Sequence, residues 1–134
     1  MLVDAGPLVA LLSDADAAHV SCTTTAQTLR LPMLTTWLVL AEAAWLLRRA
    51  PEGVERLLQL LSGGVIVCPA FDEHAPDWMV SCLRKYASLR PQLADVSLLY
   101  LAEREGIATV FTLDRRDFTV FRGDGGKAFN LVPN

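Results

Sequence analysis

The chain has no apolar run near the ~20 residues that a bilayer-spanning helix needs, which excludes a membrane helix. It is short of charge. Only 20% of the 134 residues are Asp, Glu, Lys or Arg and 52% are apolar, a balance that excludes a disordered chain and predicts a soluble globular protein. Cysteine is scarce as well: Cys22, Cys68 and Cys82 are odd in number, lack C-x-x-C spacing and stand in apolar settings. They read as small buried side chains that require neither zinc nor a disulfide. Nor is there an excess of cations. A net charge of −3 and a pI near 5.3 argue against a bulk polycationic nucleic-acid binder. They leave a nuclease open, because the basic residues are grouped as Arg48-Arg49, Arg84-Lys85 and Arg115-Arg116, then Arg122 and Lys127. The opening Met1-Leu2-Val3 lacks the basic segment and longer apolar stretch of a signal peptide, and cytoplasmic residence is the expectation. There is no internal repeat, low-complexity segment or linker. Gly123-Asp124-Gly125-Gly126 fits neither a G-x-G-x-x-G nor a Walker loop and reads as a hairpin-like turn. A single domain over residues 1–134 is expected.

What the chain does have is a set of acids at separate points of its apolar pattern: Asp4, Glu42, Asp95 and Asp114, with Asp117 close behind. An unpaired carboxylate is costly to bury. That cost is offset for all of them together if they converge on a divalent cation, since hard ions such as Mg²⁺ take oxygen ligands. Asp4 and Asp114 end predicted strands, the place where an open parallel sheet binds ligands. Glu42 and Asp95 lie instead within apolar helical stretches, Leu40-Ala41-Glu42-Ala43-Ala44 and Leu93-Ala94-Asp95-Val96-Ser97-Leu98. There an acid is either solvated or faces a polar cavity, and an acid in a first helical turn is also favoured by the helix dipole. A converged set holding one or two Mg²⁺ or Mn²⁺ ions would suit in-line attack of a water on a phosphodiester.

Hydrophobic spacing orders the elements. Met1–Asp4 reads as a strand, after which Gly6-Pro7 opens a helix through Leu12, with Pro7 in the first turn where its missing N–H does no harm. A second, Thr-rich helix runs to about Leu29, and Pro32–Thr36 is a short strand or its approach. Trp37–Arg49 is helical, with Leu40, Ala44 and Leu47 at helical spacing; Pro51 breaks it, and Glu52–Leu61 is helical up to Gly63-Gly64. Val65–Cys68 reads as a buried parallel strand, Asp72–Tyr86 as a helix with a weak point at Pro76, and Leu93–Glu105 as a helix capped by Gly106. Thr109–Thr112 is a strand leading to Asp114, and Phe129–Val132 is a last apolar segment. Strands alternating with helices predict an α/β fold with a parallel sheet.

In order along the chain, Asp4-Ala5-Gly6-Pro7-Leu8-Val9-Ala10-Leu11-Leu12, Leu34-Thr35-Thr36-Trp37 leading to Glu42-Ala43-Ala44-Trp45-Leu46-Leu47-Arg48-Arg49, Leu93-Ala94-Asp95-Val96-Ser97-Leu98, and Thr112-Leu113-Asp114-Arg115-Arg116-Asp117-Phe118 resemble the PIN-domain ribonucleases, most closely the VapC-type toxins of bacterial toxin–antitoxin modules. The resemblance implies a PIN-like domain with a central parallel β-sheet flanked by α-helices, and Mg²⁺- or Mn²⁺-dependent cleavage of RNA. It also implies a homodimer and a cognate, VapB-like antitoxin whose C-terminal segment covers the active site. By position, Asp4, Glu42, Asp95 and Asp114 correspond to the family's catalytic, metal-site acids, with Asp117 an auxiliary acid and Thr112 a hydrogen-bonding neighbour. Two positions depart from the pattern. Ala5 stands where the family often has Ser or Thr, and Gln92 where close relatives often carry another acid.

Arg115 and Arg116, beside the acids, are candidates to hold RNA phosphates. His19 and His74 are weighed as general bases but lack a partner pattern. Trp37, Trp45 and Trp78 could stack on bases, while Trp45, at helical spacing with Leu38 and Ala41, points rather to a core or dimer contact. Two rivals accompany the endoribonuclease reading: a phosphohydrolase with Asp4 as nucleophile, which lacks a D-x-D pattern, and a PIN-like RNA- or protein-binding module with a degraded metal site.

Overall fold

The computed structural model describes residues 1–134. Five short strands, β1 (Leu2–Val3), β2 (Met33–Leu34), β3 (Ile66–Val67), β4 (Thr109–Phe111) and β5 (Asn130–Val132), form one sheet in the order β3-β2-β1-β4-β5, with every pair parallel. Parallel neighbours require crossovers, and seven helices supply them: α1 (Ala5–Leu12), α2 (His19–Ala26), α3 (Trp37–Leu46), α4 (Gly53–Ser62), α5 (Ala75–Lys85), α6 (Leu93–Glu105) and α7 (Arg115–Phe118). The expected α/β class, a parallel sheet flanked by helices, is the observed one. No helix is long and apolar enough to cross a membrane.

The central strand β1 is buried at both of its residues, and so are Val110 and Phe111 of β4 beside it. This explains why these segments read as continuous apolar runs rather than as alternating ones. The register Leu2 to Val110 and Val3 to Phe111 continues in a hydrogen bond from the Asp4 N–H to the Phe111 carbonyl, 2.9 Å. β3 lies at a sheet edge, with Ile66 buried and Val67 exposed, so that run is only half covered. α6 is the most enclosed helix, buried from Val96 through Ala102, and it packs against α3 and α5.

Several boundaries differ from the sequence reading. α3 stops at Leu46, not Arg49. There the chain turns so tightly toward α4 that a Cβ on Gly53 would lie 3.0 Å from the Leu47 carbonyl oxygen and 3.1 Å from the Ala50 methyl. Pro76 is not a weak point within a helix. α5 begins at Ala75, and Pro76 occupies its first turn, where no intrahelical N–H is required. α2 begins only at His19, after the turns through Asp14 and Asp16, and ends at Ala26. α6 closes as expected at Gly106, with φ +65° and the Ile107 N–H returning to the Ala102 carbonyl. The Gly123–Gly126 segment is a 3-10 turn flanked by an antiparallel bridge between Arg122 and Ala128, hence hairpin-like.

Candidate active site

The chain leaves β1 for β2 on one side, whereas β4 and β5 lie on the other, so the sheet reverses its winding between β1 and β4. Such a switch point opens a crevice at the carboxyl ends of the strands. Asp4 follows β1 directly, and Thr112 and Asp114 follow β4. Asp4 is also the N-cap of α1: its Oδ1 accepts from the Ala5 N–H at 2.8 Å, and its Oδ2 accepts from the Thr112 hydroxyl at 2.9 Å. The same Thr112 oxygen accepts the Asp114 N–H at 3.0 Å, so one fully buried hydroxyl joins the two strand-end acids. Asp114 in turn caps α7, its Oδ1 accepting the Asp117 N–H at 3.1 Å.

A four-residue helix is too short to persist by itself. α7 is held by Phe118, buried and edge-to-face with Phe121 at 5.1 Å, while Phe121 meets Tyr86 in the same way at 5.0 Å. Glu42 is brought in by α3, whose N-cap Thr36 accepts the Val39 N–H at 3.1 Å. Thr36 Oγ1 lies 2.8 Å from Ser97 Oγ, and the Ser97 hydroxyl donates to the Ala94 carbonyl at 2.6 Å. Thr36 is therefore the donor to Ser97, and α3 is bonded to α6, the helix that carries Asp95. Asp95 sits in the first turn of α6, where its Oδ2 accepts the N–H of the N-cap residue Gln92 at 3.1 Å.

These pieces line one open pocket of about 410 Å³ that includes Asp4, Glu42, Asp95, Asp114 and Asp117. The carboxylates feel each other. Burial, at 7% exposure, raises the pKa of Asp4 against the opposing pull of the Ala5 N–H and the Thr112 hydroxyl, and the Asp114 charge raises it further. Glu42 is raised by burial and by Asp4. Asp95 is pushed up to about 6, first by burial, against the pull of the Gln92 N–H, and then by the charges of Asp4, Glu42 and Asp114. No three of these acids stand close enough to ligate one ion together as they are placed. The donor set is nonetheless that of a hard cation, all oxygen and rich in negative charge. Mg²⁺ in particular keeps several waters and is bound through one or two carboxylates, a demand that this spread arrangement fits.

The structure separates the sequence candidates. All five acids and Gln92 line the pocket, and Ala5 lines it without a hydroxyl. Arg115 and Arg116 do not. Arg115 donates to the Pro133 carbonyl at 2.6 Å, and the Arg116 side chain is 90% exposed with its Nε 3.9 Å from Asp117. The only cation in the lining is Arg90, which the sequence reading passed over. It ends a 3-10 turn, Ala87–Leu89, in the left-handed backbone region with φ +48°, a conformation that no local sequence signal announces for arginine. His19 is held at Nδ1, 2.7 Å from the Ala10 carbonyl, and His74 is exposed; neither lines this pocket. Trp45 is not a core residue: it is 64% exposed with the Arg48 guanidinium stacked 3.9 Å over its ring.

A parallel α/β sheet with carboxylates gathered at its switch point defines an acidic-site α/β protein. The chain belongs to the PIN domain family, whose model matches residues 1–123. Among characterised relatives it is similar to Ribonuclease VapC26 of Mycobacterium tuberculosis, 26% identical over 135 aligned positions that cover 99% of this chain and all of that one. Its fold is also that of the crystal structure of Mycobacterium tuberculosis VapC20, described as a sarcin–ricin loop cleaving toxin. The TM-score is 0.78 and the identity 17%, with 86% of this chain and 90% of that chain covered.

Proposed function

We propose that this chain is a Mg²⁺- or Mn²⁺-dependent endoribonuclease that hydrolyses RNA phosphodiester bonds, the toxin of a type II toxin–antitoxin pair acting in the cytoplasm as a single domain over residues 1–134. One observation carries the reading: four carboxylates from four separate elements, Asp4, Glu42, Asp95 and Asp114, line one pocket at the switch point of a PIN-domain sheet. The similarity of the whole chain to one named as a ribonuclease supports RNA as the substrate.

Asp4, Glu42, Asp95 and Asp114 would hold the cation, one or two of them directly and the others through its waters, with Asp117 as an auxiliary acid. When bound, a divalent cation supplies Lewis-acid activation of water and charge neutralisation at the phosphodiester. The chain's own part is positional. The Thr112 hydroxyl holds Asp4 Oδ2, the Gln92 N–H holds Asp95 Oδ2, and the Asp117 N–H holds Asp114 Oδ1, each leaving oxygen lone pairs toward the pocket. Asp95, with Oδ2 held by the Gln92 N–H, would accept the proton of an attacking water. Arg90 faces the same space and would bind a non-bridging phosphate oxygen. The aspartyl-phosphate alternative fares worse, because Asp4 is followed by Ala5 and Gly6 and so does not open a D-x-D pattern. The binding-only alternative rests on Ala5 and Gln92, yet Thr112 supplies a hydroxyl to Asp4, and Gln92 contributes its backbone N–H to Asp95.

The partners in this reading are the RNA, a VapB-like antitoxin and a second copy of the chain. A homodimer would use the outer face of α3, where Trp37, Ala41 and Trp45 lie four residues apart and the two indoles are 62% and 64% exposed. The decisive experiment is incubation of purified protein with a mixed cellular RNA pool in Mg²⁺, Mn²⁺ or EDTA, beside Asp95→Asn. Discrete fragments are expected with either metal and none in EDTA or with the variant. Absence of cleavage in both metals would overturn the reading.

A further inference from the structure

The largest cavity in the protein, about 580 Å³, is not the carboxylate pocket but its neighbour. Leu46, the last residue of α3, lines both, so the two concavities adjoin on one face. The second is built from four places far apart in sequence: the end of α1, the start of α2, the turn after α3, and α4, which bring Ser13, Asp14, His19, Arg49 and Arg56 to one wall.

Both arginines of this wall are solvent-exposed, and they are held differently. Arg48 is occupied, stacked on Trp45 and donating to the Trp45 carbonyl, whereas Arg49 enters the cavity wall and takes part in none of the ion pairs. Arg56 is anchored through Nη1, which donates to the Leu12 carbonyl at 3.2 Å, and its remaining N–H groups stay free. His19 lies 2.7 Å from the Ala10 carbonyl at Nδ1; a carbonyl only accepts, so Nδ1 carries the proton and Nε2 is the free ring nitrogen. Asp14 is the one carboxylate on the wall, against two guanidinium groups. A net cationic cavity on a chain of net charge −3, beside an acidic pocket, is the complement of a phosphate group. Its volume lies within the ~300–1,000 Å³ range of small-molecule sites.

We propose that this cavity is an RNA subsite that takes the nucleotide next to the cleaved bond, with Arg49 and Arg56 on its phosphate. The proposal rests on the nuclease reading of the neighbouring carboxylates but is tested by binding rather than by cleavage. In the catalysis-disabled Asp95→Asn protein with Mg²⁺, the affinity for a short single-stranded oligoribonucleotide is measured by fluorescence anisotropy across a salt series.

Arg49→Ala is expected to weaken binding about tenfold and to reduce the slope of log K against log salt by about 0.7, the share of one phosphate contact on a single strand. Arg49→Lys should recover part of the loss. Arg56→Ala should act in the same direction and is read beside its melting curve, because it also loses the Leu12 bond. Arg30→Ala, which lines neither cavity, removes the same charge as a control. Unchanged affinity and slope in folded Arg49→Ala, or an equal loss in Arg30→Ala, overturns the proposal. So does loss of binding to a polyglutamate peptide with RNA affinity intact, which would make the cavity a seat for a protein segment. If the unmutated chain cuts no RNA yet Arg49→Ala still weakens RNA binding, the cavity stands as an RNA-binding site beside the carboxylates and the catalytic reading falls. If the chain cuts RNA and Arg49→Ala changes neither Kd nor KM, the reverse holds.

Discussion

Thr112 is fully buried and serves two acids, donating to Asp4 and accepting from the backbone of Asp114. Hydrogen bonds to charged groups contribute ~1.5–3 kcal/mol, about twice the neutral case. Thr112→Val keeps the shape and removes both bonds, so Mn²⁺ affinity should fall about tenfold, the equivalent of 1.4 kcal/mol, with RNA cleavage falling alongside. Thr112→Ser should restore both. Calorimetric Mn²⁺ titration of the two variants checks this, and undiminished affinity in the valine variant would remove Thr112 from the site. Arg90 makes the opposite prediction. As the only cation among the pocket's carboxylates it opposes a bound metal, so Arg90→Ala should leave Mn²⁺ affinity intact or improved while raising KM for RNA several-fold. A loss of metal affinity with KM unchanged would make it a structural residue instead.

The helices matter through their ends. α3 and α6 carry Glu42 and Asp95, and the Thr36–Ser97 bond ties the start of one to the first turns of the other. Thr36→Val removes an N-cap, worth about 0.5–2 kcal/mol, and leaves the buried Ser97 oxygen without its donor. We expect about 2 kcal/mol less stability in urea unfolding and a larger proportional loss of cleavage, because the two acids lose their common anchor. Cleavage unchanged in a folded variant would show that α3 finds its place without this bond. The existence of α3 and α6 was legible from apolar spacing, and so was the Gly106 cap. The early end of α3 at Leu46 was not, because the residues from 47 to 49 keep helical propensity while the close approach at Gly53 turns the chain.

For the whole molecule, the gathered acids set the pH dependence. Asp4, Glu42 and Asp95 all have folded pKa values above their ordinary ones. The folded state therefore binds more protons than the unfolded state across the interval between the two values, and stability falls as pH rises through it. For Asp95 that interval runs from 3.8 to about 6. Asp72 shifts downward through the Tyr100 hydroxyl, but its window lies below the ordinary carboxylate range and does not overlap. In EDTA the melting temperature should drop between about pH 4 and about pH 6, and Mn²⁺ should restore it at about pH 7.5 far more than at about pH 5, where protons compete. Equal Mn²⁺ effects at both pH values, or a metal-free melting temperature that rises over this interval, would contradict the site.

The sequence by itself determined the order and type of the elements and singled out the candidate acids. Continuous apolar strands and periodic helices specified a parallel α/β sheet, and acids such as Asp4, placed where burial is costly, stood out as one candidate set, which lines a single pocket. Only the tertiary structure decided what stands around them. It turned Arg115 to the Pro133 carbonyl, brought Arg90 to the carboxylates in a left-handed backbone, and set the Arg49 and Arg56 cavity against the acidic one across Leu46. The physical reason is one of range. Periodicity records which face of a local element is buried, because every turn of a helix or pair of strand residues repeats that demand. The meeting of exposed polar side chains from distant segments is imposed once, by how the helix ends and loops pack.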